Sequence, residues 1–438
     1  MFESNLEWIG DELHNLAKEL WPINRSITGD GVRKTLTILK RFIPDLIVFE
    51  IPTGTNVFDW TIPKEWKVND AYIITPGGNK ICSFKENNLH LVSYSIPIYK
   101  KLNLSQLQEN LYSLPEQPTA IPYITSYYKE HWGFCISQEM RDSLEDGEYE
   151  VFIDSELFNG SLTYGELLIK GNTDKEIFIS TYVCHPSMAN NELSGPTVTT
   201  FIAKWLKNRT GNRFSYRFVF IPETIGSITY LSLNLDYLKS KVIAGFNISC
   251  IGDNRTFSFL PSRYGNTISD IVSKHVLKHI YPSFITYDWK DRGSDERQYC
   301  APGIDLPIAS IMRSKYGAYE EYHTSLDDLN SVVTPDGLEG GYKALKLVIE
   351  ALEENIYPMV NVFCEPQLGK RGLYPTLSTK FSSYEVRLMM DVITWSDGTN
   401  SLLDIAEICD VPIWKLYPIV KTLSMHKLIT LFDQKVKS

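Results

Sequence analysis

Five residues in the middle of the chain are of types that bind metal ions or move protons: His185, Glu192, Glu223, Asp253 and His323. Most follow a short apolar run. His185 comes after EIFISTYVC, Glu223 after RFVFIP, Asp253 after VIAGFNISCIG, and His323 after LPIASIM and a tyrosine-rich loop. Taken singly, each has an ordinary structural role open to it: a loop histidine, a helix-start acid favoured by the dipole, a turn aspartate, a surface histidine. Taken together they match the needs of a zinc ion that activates water. Two neutral imidazoles and a carboxylate leave one position of a tetrahedral ion open, where bound water has a pKa of about 7. Glu223 is then the base that receives the proton, and Asp327 or Asp328 is placed to orient His323.

The elements that must position these residues read as an alternation. The apolar run Ile177–Ile179 is a strand, Pro186 stops it, and Ser194-Gly195-Pro196 opens a helix through residue 207. Strands RFVFIP, VIAGFNIS, SFITYD and LPIASIM follow, each separated by a helical stretch, and GLEGGYKALKLVIEALEEN closes the series. Such a pattern predicts an α/β fold, a mostly parallel sheet with helices on both faces. Its chemistry belongs at the strand ends. No GxGxxG or GxxxxGKS loop occurs, which argues against nucleotide binding.

An amphipathic helix over 4–20 precedes this region, followed by a loop, WPINRSITGDG, and a second helix begun after Gly31; Arg25 and Ser26 in the loop and Arg33 on that helix are candidates for a pocket. Short alternating runs broken by Pro and Gly predict an inserted β-rich domain over 46–126. The α/β domain then comprises 1–45 and 127–357. From 375 to 438, three short helices and a closing extended piece outline a winged helix. Its seven Lys/Arg from Lys380 onward face seven Asp/Glu. A DNA reader shows a basic face, so nucleic acid is not the favoured partner.

At the strand-end residues the sequence resembles the zinc aminopeptidases built on a phosphorylase/hydrolase-like α/β sheet. His185 matches that family's first histidine, Asn191-Glu192-Leu193-Ser194-Gly195 its Asp-Asn-x-Ser-Gly stretch, and Glu223-Thr224 its Glu-Glu pair. Asp253 matches its later aspartate, and His323-Thr324-Ser325-Leu326-Asp327 its His-Thr-x-x-Asp. With the inserted domain and winged helix, the whole chain resembles aminopeptidase-like proteins of bacteria and archaea linked to surface polysaccharide synthesis. The resemblance implies a zinc-dependent hydrolase of amide bonds acting on a small peptide or N-acyl substrate. It departs at two places: Asn191 stands where a metal-bridging Asp is expected, and Thr224 where the second Glu is. One zinc held by His185, His323 and either Glu192 or Asp253 is then more economical than two. Arg297, Arg313 and Tyr322, on neighbouring loops, are candidates to grip the substrate.

Composition sets the remaining limits. At 438 residues the chain exceeds one average core. Net charge −10 argues against nucleic acid as the main partner of the whole protein. The seven cysteines lack CxxC spacing, so neither a disulfide framework nor a thiolate zinc site is indicated. No apolar run approaches membrane length and the first residues are acidic, which makes the cytoplasm the expected compartment. Two other functions fit the same residues: a deacylase of an amino sugar, or a catalytically degenerate hydrolase fold kept as a ligand sensor.

Overall fold

A computed structural model of the chain describes residues 8–373 and 380–436. Residues 4–7 of the expected first helix and the expected start of the winged helix at 375 lie outside them. The described part of that first helix is Gly10–Leu20.

An eight-stranded sheet carries the site. At its centre Ser215–Ile221, Glu176–Tyr182, Val242–Asn247 and Ile308–Met312 run parallel in that spatial order. The first two of these strands are buried at every residue, which is why they read as mostly apolar runs rather than as alternation. Antiparallel strands extend both sides: Ser161–Ile169 and Ile47–Pro52 on one, Ser258–Leu260 on the other, followed by Ile285–Thr286. All four central strands point their C-terminal ends to one edge, and the loops leaving that edge bring Cys184-His185, Glu223, Asp253 and the segment 313–323.

The helix after the first of these loops, Ser194–Asn208, needs Gly195. A Cβ there would fall 2.5 Å from Thr181 Oγ1 and 2.6 Å from the Ile248 carbonyl oxygen, so only glycine lets the helix start against the strand ends. A π-helical turn at Ala189–Leu193 precedes it, a conformation found often at functional sites.

A four-stranded antiparallel sheet, ordered Lys80–Ile81, Glu65–Ile74, Glu148–Phe158 and Ile98–Asn103, forms the core of the β-rich part. Its edges differ from the expected 46–126. Strand Ile47–Pro52 is an edge of the large sheet, whereas Glu148–Phe158 supplies the strand between Glu65–Ile74 and Ile98–Asn103. The cause is pairing at long range: the acidic stretch before Phe158 is half-buried by alternation, and its partner lies some eighty residues upstream. These strands share one compact unit with the large sheet, residues 1–270 and 284–343. A second unit, residues 271–283 and 344–438, contains the antiparallel pair of strands Tyr357–Val360 and Ile429–Phe432 and, between them in the chain, the helices Lys380–Trp395, Leu402–Ile408 and Tyr417–Met425. This is a winged helix. No helix among the described residues is long and apolar enough to cross a membrane.

Candidate active site

His185 lies at the centre of the strand-end loops. Its Nδ1 donates to Glu192 Oε2 at 3.0 Å, and its Nε2 stands 3.7 Å from Glu223 Oε2. Burial works against protonation of the ring. The hydrogen bond and charge of Glu192, with the charge of Glu223, more than offset that and hold His185 above its ordinary pKa. The ring thus sits between two carboxylates, with Nδ1 on Glu192 and Nε2 facing Glu223.

Glu192 lies buried behind the histidine. Oε2 also accepts from the Cys184 and His185 backbone N–H groups at 3.3 and 3.0 Å, and Oε1 lies 2.9 Å from Arg25 Nε with both side chains inaccessible. Arg25 donates Nε–H to the His185 carbonyl at 2.9 Å and Nη1–H to the Leu20 carbonyl at 2.9 Å. Of the pocket candidates, Arg25 in the first loop is therefore a buried counter-ion, and Arg33 on the helix that follows is an ion-pair centre for Glu65 and Glu50.

Glu223 accepts from Ser294 Oγ at 2.6 Å on Oε1, leaving Oε2 directed at His185. Burial raises its pKa, opposed by the His185 charge and the Ser294 bond. Thr224, in the sparsely populated region at φ 64, ψ −77, is pinned by its N–H to Asp295 Oδ1 at 2.7 Å. Such strain persists only where surroundings over-determine it. Asp295 is wholly buried, and burial together with the charge of Glu223 pushes its carboxyl up to about 8.

His323 stacks on Tyr322, ring centroids 3.9 Å apart, and its ring centroid is 5.8 Å from that of His185. It too has left-handed backbone, at φ 57. Burial and the neighbouring His185 charge depress it to about 3, and no hydrogen bond contributes. It is a neutral imidazole. Tyr123 puts its ring edge against both histidines, at 5.4 and 5.1 Å.

Other candidates lie elsewhere. Asp253 accepts from the Ser314 N–H and Oγ at 2.6 and 2.9 Å, from Asn190 Nδ2 at 3.0 Å and from the Arg255 N–H at 2.9 Å. That leaves its carboxylate locking loops together rather than open to an ion. Asp327 accepts from the Asn190 and Asn191 N–H groups and from Tyr319 Oη, so it caps the π-helical turn instead of orienting His323. Asp328 bonds the N–H groups of Asn330 and Ser331. Arg313 is buried over the Phe257 ring at 4.1 Å. Arg297 is at the rim, donating to Thr224 Oγ1 at 2.8 Å. Sequence reasoning missed Ser294, Asp295 and Tyr123. GSDERQYC showed acids and a serine on a loop, but nothing in it marked Glu223 as their partner.

A cavity of about 170 Å³ adjoins the site, lined by His185, Glu223, Thr224, Ile27, Trp60 and Tyr128 among others. It suits a group the size of one residue.

The donor chemistry around His185 suits a divalent cation. Nδ1 of His185 is spent on Glu192, so Nε2 is the free nitrogen, which is how carboxylates fix a ligating imidazole. Its 3.7 Å separation from Glu223 Oε2 is close to the roughly 3.4 Å between neighbouring ligand atoms of a tetrahedral zinc. Cys184, His185 and Glu192 also bring donor atoms within 4.8 Å of one another, but a cation on Glu192 would stand beside the Arg25 guanidinium and be repelled. Asn191 Oδ1 accepts from Tyr182 Oη at 3.1 Å, and the amide has no charge to bridge two ions. The further donor group, His275, His279 and Glu407, is closed: His275 donates to Glu407 and accepts from the Ile413 N–H at 2.9 Å, using both nitrogens.

The profile of a domain family of unknown function, DUF4910, matches residues 14–355, most of the chain. The chain belongs to that family. A winged helix-turn-helix profile matches 355–431. A Clostridium acetobutylicum relative, named for polysaccharide biosynthesis and an aminopeptidase-like domain, is 48% identical over 399 residues, 91% of each chain. A crystal structure of a candidate peptidase from the same organism superposes with TM-score 0.91 at 45% identity, covering 96% of both chains. The zinc aminopeptidase of Bacillus subtilis superposes with TM-score 0.58 at 12% identity over 79% of this chain and 95% of its own. This DUF4910 member thus has the aminopeptidase fold.

Proposed function

We propose that the chain is a single-metal hydrolase of amide bonds, acting on a small peptide or an N-acyl conjugate. The observation that carries this is the pairing of a free imidazole nitrogen, His185 Nε2, with a neutral second imidazole, His323, across from the raised carboxyl of Glu223. His185 and His323 would hold the ion, zinc by the chemistry of its donors, with Glu223 Oε2 within reach. When bound, zinc supplies Lewis-acid activation of a water and of the amide carbonyl.

The chain's own residues do the rest. Glu192 fixes the His185 ring, and Arg25 holds Glu192. Ser294 fixes Glu223 Oε1, so that Oε2 takes a proton from the attacking water. As the C–N bond breaks, the same carboxyl returns that proton to the leaving nitrogen, and atoms balance as amide plus water to acid plus amine. Arg297 at the rim is positioned for an anionic substrate group.

A second reading, a deacylase of an amino sugar, is favoured by Trp60 and Tyr128, whose rings meet edge to face at 5.7 Å at the mouth of the cavity. Aromatic faces suit the apolar face of a sugar ring, and the name of the Clostridium acetobutylicum relative points the same way. The test is Glu223→Gln assayed against aminoacyl anilides and N-acetylated amino sugars, with metal measured on the same preparation. General-base loss costs about 10²–10⁴ in rate. Turnover falling by that factor with metal retained supports the assignment, and undiminished turnover refutes it. Metal lost together with turnover makes Glu223 a ligand.

A further inference from the structure

Glu223 is delivered by a turn that has to be held. The Ile225 N–H donates to the Glu223 carbonyl at 2.8 Å, and Thr224 between them lies at φ 64, ψ −77. That is a γ-turn of the rare, strained form. For a β-branched residue a positive φ is an outlier, whereas glycine adopts it freely. The turn takes the chain from strand Ser215–Ile221 to helix Ile225–Lys241 and leaves Glu223 at the sheet edge.

The restraint comes from a distant segment. Gly293 and Ser294 donate their N–H groups to Glu296 Oε1 at 2.8 and 3.0 Å, and Tyr316 Oη donates to the same oxygen at 2.6 Å. Residues 293–296 are thereby tied into a bracket of fixed shape. From it Ser294 reaches the Glu223 carboxylate and Asp295 accepts the Thr224 backbone N–H, while Arg297 just beyond donates to the Thr224 hydroxyl. Asp295 Oδ1 also accepts from Ser227 Oγ at 2.7 Å, in the first turn of the helix that follows Thr224.

The use made of Asp295 is unusual for its position. It precedes the short helix Glu296–Tyr299, where an aspartate ordinarily caps with its side chain, yet it makes no such bond. Its carboxylate is 0% exposed and turns to the Glu223 side instead, with Oδ2 left without a hydrogen-bond partner. Keeping a half-spent carboxylate dry is unfavourable, so its own helix does not account for it. The strained turn does.

We propose that Asp295 is a positioning residue for Glu223: by holding the Thr224 N–H it keeps the γ-turn in place, and with it Glu223 Oε2 facing His185 Nε2. The catalytic consequence rests on Glu223 being the base, as proposed above; the geometric claim does not. The test compares crystal structures and kinetics of the full chain as parent, Asp295→Asn, Asp295→Ala, and Asp295→Ala combined with Thr224→Gly. Asparagine keeps an acceptor for the Thr224 N–H, so Glu223 should stay within about 0.5 Å of its place. In Asp295→Ala, Thr224 should relax to negative φ and Oε2 should leave its position 3.7 Å from His185 Nε2. Thr224→Gly removes the strain that Asp295 opposes, so the double variant should return Glu223 to its place.

Against aminoacyl anilides or N-acetylated amino sugars, Asp295→Ala should lose about 10²-fold in kcat with KM nearly unchanged, as a misplacement of about 1 Å costs. Asp295→Asn and the double variant should recover most of that. If the parent turns over neither substrate, the hydrolase reading fails and the structures alone decide the positioning. The proposal is overturned if Thr224 keeps its positive φ in Asp295→Ala, if that variant's kcat matches an active parent's, or if asparagine or the double variant displaces Glu223 as far as alanine does. If Asp295→Ala does not fold, a folded double variant with Glu223 in place supports the proposal, and an unfolded one overturns it.

Discussion

Replacing Glu192 by glutamine should unsettle the protein far more than its similar shape suggests. The carboxylate has two duties that an amide cannot share. Oε2 accepts three donors, the N–H groups of Cys184 and His185 and His185 Nδ1, while Oε1 stands 2.9 Å from Arg25 Nε. Glutamine offers one acceptor oxygen and one NH₂ donor, so either the backbone donors or the guanidinium must face a donor. In both cases the Arg25 charge, inaccessible to water, loses its counter-charge. Breaking a buried pair from one side costs about 3–5 kcal/mol. With a urea m-value of about 3 kcal/mol/M, the midpoint should fall by about 1 M or slightly more. Arg25→Met combined with Glu192→Gln removes the stranded charge and should recover most of the loss, as apolar replacement of buried pairs often does. Urea unfolding followed by tryptophan fluorescence measures both. A single variant within about 1 kcal/mol of the parent, or a double variant no better than the single, would refute the reasoning.

Two further outcomes follow from the same geometry. Asp253→Asn should lower stability by about 3 kcal/mol, because Ser314, Asn190 and Arg255 lose a charged acceptor; metal content should stay unchanged, and metal loss without unfolding would restore Asp253 as a ligand. Glu65 is paired with Arg33, and although burial opposes ionisation, that bond and the Ser161 N–H lower its folded pKa. A carboxyl lowered on folding gives stability that is present above its unfolded value of about 4.3 and lost as pH falls through the folded value. Stability in acid titrations should therefore decline less steeply in Glu65→Gln than in the parent, and equal slopes would contradict it.

Much of this was legible because parallel strands buried on both faces are mostly apolar. EIFISTY and SYRFVFI announced themselves, and the first polar residues beyond them were at the sheet edge. What could not be read was which acid meets which partner. Glu192, Asp253 and Glu223 look alike in sequence, yet one is held by Arg25, one by Ser314 and Asn190, and only one points a free oxygen at His185. Those partners are 38 to 167 residues away from them. The strand Glu148–Phe158 was misplaced for the same reason, since its ladder with Glu65–Ile74 is fixed by cross-strand packing that no local pattern records.

The single-ion assignment is tested most directly by counting metal. Protein purified without chelator and equilibrated with zinc should carry one tightly held ion per chain by plasma mass spectrometry, and His185→Ala and His323→Ala should each carry almost none while keeping the parent's far-ultraviolet circular dichroism. Two ions per chain, none in the parent, or full occupancy in both histidine variants would contradict the account.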